Sequence, residues 1–78
     1  MKIRATITYT VDKKHPDYKC IVNPTEIQSF TDVYTFDDRY HIPLENCKRY
    51  CKDDLALVAG GGYDAKHIHN VKYTFEIL

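Results

Sequence analysis

The sequence predicts an α+β domain: a four-stranded, mainly antiparallel sheet with one amphipathic helix packed on one face, in the order β-β-β-α-β. Three observations predict it. Both ends of the chain alternate apolar and polar residues with a period of two, the mark of half-buried strands. Between them, Leu44, Cys47, Cys51, Leu55 and Val58 recur at steps of three and four, the mark of an amphipathic helix. A glycine triplet, Gly60 to Gly62, then separates the helical pattern from the last alternating run.

The first strand carries Ile3, Ala5, Ile7, Tyr9 and Val11 on one face and Lys2, Arg4, Thr6, Thr8 and Thr10 on the other. Asp12 to Asp17 (DKKHPD) combines charge with a proline and reads as a turn. The stretch after it, Tyr18 to Asn23, reads as a short second strand with Tyr18, Cys20 and Val22 on one side, making a hairpin with the first. Asn23-Pro24 is a further turn, and Glu26 to Phe36, with Val33, Tyr34, Thr35 and Phe36, is extended. Its two faces are both mixed, so its register stays open.

Asp37 to Pro43 (DDRYHIP) forms a charged loop, and Pro43 suits a first helical turn, where its missing donor has no partner to lose. The helix runs for about four turns, with Glu45, Lys48, Arg49, Lys52 and Asp53 opposite its apolar stripe. The glycines stop it, because a left-handed cap is cheap there. In the last strand Val71, Tyr73, Phe75 and Ile77 face inward, preceded on the same odd positions by His67 and His69. A short crossover leaves this strand parallel to the first or the third, with a place beside the first.

With 78 residues there is room for one domain, 1–78, and a chain of this size buries roughly 60 % of the surface its unfolded form exposes. Hydrophobic content of 44 % and charged content of 28 % suit a folded chain. Eleven Lys and Arg balance eleven Asp and Glu, so no overall field draws the chain to phosphate backbones or anionic lipid. The alternating start is unlike a signal peptide, and no segment approaches the roughly 20 apolar residues that span a membrane. The expectation is a soluble cytoplasmic protein without a membrane partner. Three cysteines, an odd number, favour free thiols in a reducing compartment, with a bridge from Cys20 to Cys47 or Cys51 left open.

Cys47 and Cys51 lie four apart and His67 and His69 two apart, which suggests a tetrahedral zinc site. The arrangement argues against it. If helix and last strand are antiparallel neighbours, the histidines start near Ala59, and Cys51 lies about 12 Å back along the helix axis at 1.5 Å per residue. Both cysteines also fit the apolar stripe, where a free thiol behaves as a small hydrophobe. No metal or cofactor is expected, and a small zinc-stabilised domain is kept as a second alternative.

His15 beside Asp17, and His41 near Asp37 and Asp38, match what a general base needs, but no nucleophile sits in a recognisable elbow. The glycines follow a helix instead of opening one, so they cradle no phosphate. The chain is therefore not expected to be an enzyme. Lys48, Arg49 and Lys52 around Tyr50 make nucleic-acid binding the first alternative, with Lys13 in a second basic cluster.

Tyrosine is the compositional anomaly, with seven Tyr, three Phe and no Trp. Tyr9 and Tyr73 belong to core faces, whereas Tyr18, Tyr34, Tyr40, Tyr50 and Tyr63 fall in loops, short strands or the helix margin. Tyrosine is favoured at interfaces because it covers area with little rotamer entropy and carries a polar tip. Tyr34, Phe36, Asp37, Asp38, Arg39 and Tyr40, with Tyr50, form the expected partner-binding edge. The function that follows is a small non-catalytic protein-binding module that occupies a surface on a larger host complex. Small plain domains of this kind occur among phage and mobile-element inhibitors, anti-CRISPR proteins among them, and a homodimer through an exposed sheet edge is compatible with it.

Overall fold

The computed structural model describes residues 1–62 and 64–78. Among them are three strands, β1 (Lys2–Val11), β2 (Gln28–Thr35) and β3 (Ile68–Ile77), and one α-helix, α1 (Leu44–Ala59). The sheet order is β2-β1-β3, and both outer strands run antiparallel to β1. The α+β class and the helix-on-sheet layering are as expected. The fourth strand is not formed.

Tyr18–Cys20 is instead a short 3-10 turn, closed by local bonds from the Cys20 and Ile21 amides to the Asp17 carbonyl at 2.8 and 3.2 Å. A hairpin strand has no place beside β1, because β2 and β3 already take its two sides. β3 lies beside the first strand as expected, but antiparallel to it. It is parallel to β2, the strand before the helix, with β1 between them.

The core lies between the sheet and α1: Ile3, Ala5 and Ile7 from β1, Tyr34 from β2, Ile68 from β3, and Cys47, Cys51, Leu55 and Ala59 from the helix. The buried helix positions thus keep a strict step of four. Leu44 and Val58, expected in the stripe, are exposed. A step of four drifts by about 40° per turn at 3.6 residues per turn, so the buried line winds slowly round the helix and leaves Leu44 and Val58 beside it.

Pro43 sits just before the helix, not in its first turn, and its carbonyl accepts from the Asn46 and Cys47 amides. At the other end the Gly62 amide reaches the Leu57 carbonyl at 2.8 Å and the Gly61 amide reaches Val58 at 3.0 Å. This is a Schellman cap, with Gly61 at φ 81°. Gly60 is needed for a different reason: a Cβ there would collide with the Asp64 carbonyl oxygen.

One residue re-phases β3. Thr8 pairs with Lys72 but Thr10 pairs with His69, so β3 spends one residue more than β1 across this step. Asn70 takes it up at φ 54°, a left-handed conformation that Asn tolerates better than most residues, and its side chain bonds Thr10 Oγ1 at 3.0 Å. Beyond the bulge, Tyr73, Phe75 and Ile77 pair with Ile7, Ala5 and Ile3 on the helix face. Before it the inward residue is Ile68, paired with Val11. His67 and His69, expected to face inward, lie on the open face of the sheet.

That open face is polar. Thr6 and Thr31 share a hydroxyl bond of 2.8 Å, and Arg4 bonds Glu76 across β1 and β3 at 2.9 Å. On the helix face, α1 leans toward β2, and β3 is roofed by long side chains: Lys48 Nζ stands 5.4 Å from the Phe75 ring centre and Lys52 Nζ 5.6 Å from that of Tyr73.

Candidate functional site

The expected partner-binding residues meet where β2 ends and α1 begins. Tyr34, one of the residues expected at the partner-binding edge, is buried, because its pairing with Ile3 points it at the helix. Its hydroxyl donates to Asp54 Oδ2 at 2.7 Å, and burial followed by that carboxylate pushes the phenol up. Tyr50 packs edge-on against Tyr34 and Phe36, with ring centres 6.1 and 5.9 Å apart. The three rings form one cluster, with Tyr50 60 % exposed at its outer end.

The chain then turns on Asp37. Its carboxylate accepts from the Arg39 amide at 2.9 Å and from the Arg39 guanidinium at 2.7 Å, which closes a 3-10 turn, Asp38–Tyr40. These bonds hold the Asp37 carboxyl below its usual range. His41, left-handed at φ 50°, ends the turn. Asp38 and Tyr40 are thereby turned outward, the Asp38 side chain 83 % and Tyr40 71 % exposed. Between this turn and the start of α1 lies a cavity of about 310 Å³ lined by Phe36, Asp37, Asp38, His41, Ile42 and Cys47 among others.

The structure therefore brings Tyr34, Phe36 and Tyr50 into contact, pairs Asp37 with Arg39, pairs the exposed Asp38 with the N-terminal ammonium at 2.9 Å, and leaves Tyr40 facing water. Tyr63 lies outside the described residues. Tyr18 is half-buried.

The basic residues of the nucleic-acid alternative are split. Lys48 and Lys52 lie over β3, whereas Tyr50 packs toward β2 on the opposite flank of the helix. The zinc set is divided by the sheet itself. Cys47 and Cys51 are buried on the helix face, while His67 and His69 are on the open face. Among the described residues no group of three or more His, Cys, Asp or Glu is placed to hold a metal ion. All three cysteines are free, with Cys20 exposed. Burial, and secondarily Cys47, pushes the Cys51 thiol up, which leaves it a poor nucleophile.

Two polar arrangements escape a sequence-only reading. His15 is buried; its Nδ1 accepts from the Asp17 amide at 3.0 Å and its Nε2 donates to the Ala59 carbonyl at 2.6 Å. It is a brace for the end of α1, not a base paired with the Asp17 carboxylate. Asp12 meets both His67 Nδ1 at 3.2 Å and His69 Nε2 at 2.8 Å. Only the His-x-His spacing hinted at this, since Asp12 lies more than fifty positions away.

The bond to His69 first, then those to the Lys14 amide and to His67, lower the Asp12 carboxyl to about 2. A carboxyl held below its unfolded value stabilises the fold above that value, and the contribution is lost as pH falls toward about 2. Acid unfolding of Asp12→Asn should accordingly be flatter between about pH 4 and pH 2 than that of the unaltered protein, followed by circular dichroism. Identical acid profiles would contradict the bridge.

Among the described residues no helix is long and apolar enough to cross a membrane. The chain matches no protein-family model, no curated protein and no solved structure.

Proposed function

We propose that the protein is a non-catalytic binding module that blocks a surface on a larger protein complex through the corner formed by Phe36, Asp37, Asp38, Arg39, Tyr40 and Tyr50. The observation that carries this is the pairing of rigidity with exposure. Tyr50 is held by two edge-on ring contacts and the 3-10 turn is locked by Asp37, yet Tyr50, Tyr40 and Asp38 face water. Side chains held in place before binding lose little entropy on docking, and tyrosines beside a concavity of this size make good anchors.

The Asp38 carboxylate is exposed although its Oδ1 accepts from the N-terminal ammonium at 2.9 Å, and its other oxygen fits a partner surface that is cationic, such as a groove built for nucleic acid. An inhibitor of a host complex, of the phage or mobile-element kind, would act in this way by occupying the groove. Tyr34 serves here as support, since its ring holds Tyr50 from beneath.

The test is affinity purification from host lysate with the full chain and with a Tyr40→Ala, Tyr50→Ala double variant. One complex enriched by the first and lost from the second, at unchanged melting temperature, is the expected result. Capture of the same proteins by both would remove the corner from the interface.

A further inference from the structure

We infer that two copies of this chain pair through the outer edge of β3, antiparallel and centred on Thr74, to form one continuous six-stranded sheet. The edge is available. The Leu78 amide bonds the Lys2 carbonyl, so even residues from Lys72 onward turn their backbone groups to β1. Val71, Tyr73, Phe75 and Ile77 turn theirs outward, and among the described residues no strand lies beyond them.

The opposite edge of the sheet is treated differently. On β2 the outward Val33 amide is taken by the carboxylate of its neighbour Asp32 at 2.8 Å. An edge strand that spends an acid on its own amide resists pairing. Nothing comparable appears on β3 among the described residues.

The segment is also complementary to itself. In Val71-Lys72-Tyr73-Thr74-Phe75-Glu76-Ile77 the residues read symmetrically about Thr74: aliphatic, charged, aromatic, threonine, aromatic, oppositely charged, aliphatic. Antiparallel pairing about a two-fold axis at Thr74 sets Lys72 opposite Glu76 of the second copy and Glu76 opposite its Lys72. It sets Tyr73 opposite Phe75 and Val71 opposite Ile77, again twice. Val71 and Ile77, 37 % and 56 % exposed in the single chain, then cover each other.

The hydrogen-bonding phase agrees. The outward residues 71, 73, 75 and 77 pair only with one another in this register, so they exchange amide and carbonyl bonds. The even residues form the closer pairs, at about 4.5 Å between Cα atoms, which brings Lys72 to Glu76 and Thr74 to Thr74. Glu76 already bonds Arg4 on its own chain at 2.9 Å, so each Glu76 would stand between two cations. On the helix face the four aromatic rings would form one cluster beneath Lys48 and Lys52 of each copy, whose ammonium groups already lie over ring faces. The two aromatic-acidic corners would sit at the far edges, beside β2, and at opposite ends of the sheet: Phe36 is level with Met1, five residues from the level of Thr6 and Thr74, so the corners lie about 24 Å apart across five strand spacings and about 34 Å apart along the strands.

Sedimentation equilibrium of the full chain in a Cys20→Ser background, which removes the exposed thiol, tests the pairing. The expected mass is twice 9.1 kDa. Lys72→Glu and Glu76→Lys should each run as monomers, since like charges then face each other. An equimolar mixture of the two should dimerise again, because each lysine strand meets a glutamate strand; this recovery also shows that both variants fold. In the same background Thr74→Cys should cross-link to itself on mild oxidation. A 9.1 kDa species at the highest attainable concentration overturns the inference and leaves the edge to a foreign strand. A dimer that ignores both charge variants, or a Thr74→Cys chain that does not cross-link, overturns it equally.

Discussion

Replacing Leu55 by alanine is expected to remove about 3 kcal/mol of stability, enough to leave much of a chain this small unfolded at moderate temperature. Leu55 is among the largest fully buried side chains, and two of the others, Cys47 and Cys51, are small thiols on the same helix face. Ile3, Ala5 and Ile7 of β1 belong to the same buried cluster, so the core around the cavity left behind includes strand residues that cannot close in without breaking the sheet register. The melting temperature should fall by roughly 10 to 25 °C, read by thermal circular dichroism. Leu57, two positions along the helix and exposed, provides the comparison: Leu57→Ala should shift stability by less than about 0.5 kcal/mol. Equal effects from the two substitutions would mean that α1 packs on another face.

His15→Ala should be the second most damaging change, by about 2 kcal/mol, although sequence alone places His15 in a charged turn. The imidazole is buried and satisfied at both nitrogens, and its loss leaves the Ala59 carbonyl and the Asp17 amide without those partners. A carbonyl at the last turn of a helix has no bond further along the chain to fall back on. The effect should be local as well as global. Amide exchange at Gly61 and Gly62, which close the helix cap, should quicken more than exchange in β1. His41→Ala, at an exposed histidine in the acidic corner, should leave both unchanged. Unaltered exchange at the glycines in His15→Ala would show that the cap holds without its brace.

The comparison of these two histidines shows what residue order conveys and what it does not. Period-two alternation identified β1 and most of β3, and the step of three or four identified α1, because each element buries one face and the chemistry of that face repeats. Tyr18–Asn23 has strand-like residues too, but strand formation also needs a free neighbour. Whether β1 had one depended on where β3, more than fifty residues later, would dock. The histidine phase failed for a local reason: one left-handed Asn70 is enough to exchange the two faces, and Asn tolerates that conformation without demanding it. The aromatic corner was partly legible, since Tyr34, Phe36 and Asp37 to Tyr40 are contiguous. That Tyr34 is a buried support and Tyr50 its exposed partner depends on helix rotation, and composition does not encode rotation. Asp12 with His67 and His69 joins chain segments far apart in sequence, and only the register of β1 against β3 brings them together.

The bulge at Asn70 also acts as a ruler. Before it, the His67 carbonyl accepts the Asp12 amide at 3.2 Å, so backbone groups on odd positions there are spent on β1. After it, the odd positions are the ones that face away. The length of edge open to an added strand therefore starts at Val71 and ends with β3 at Ile77, and no incoming strand can run on past Asn70 in the same phase. A residue that merely turns the chain thus also decides how long a strand the sheet will accept and at which residue its middle falls.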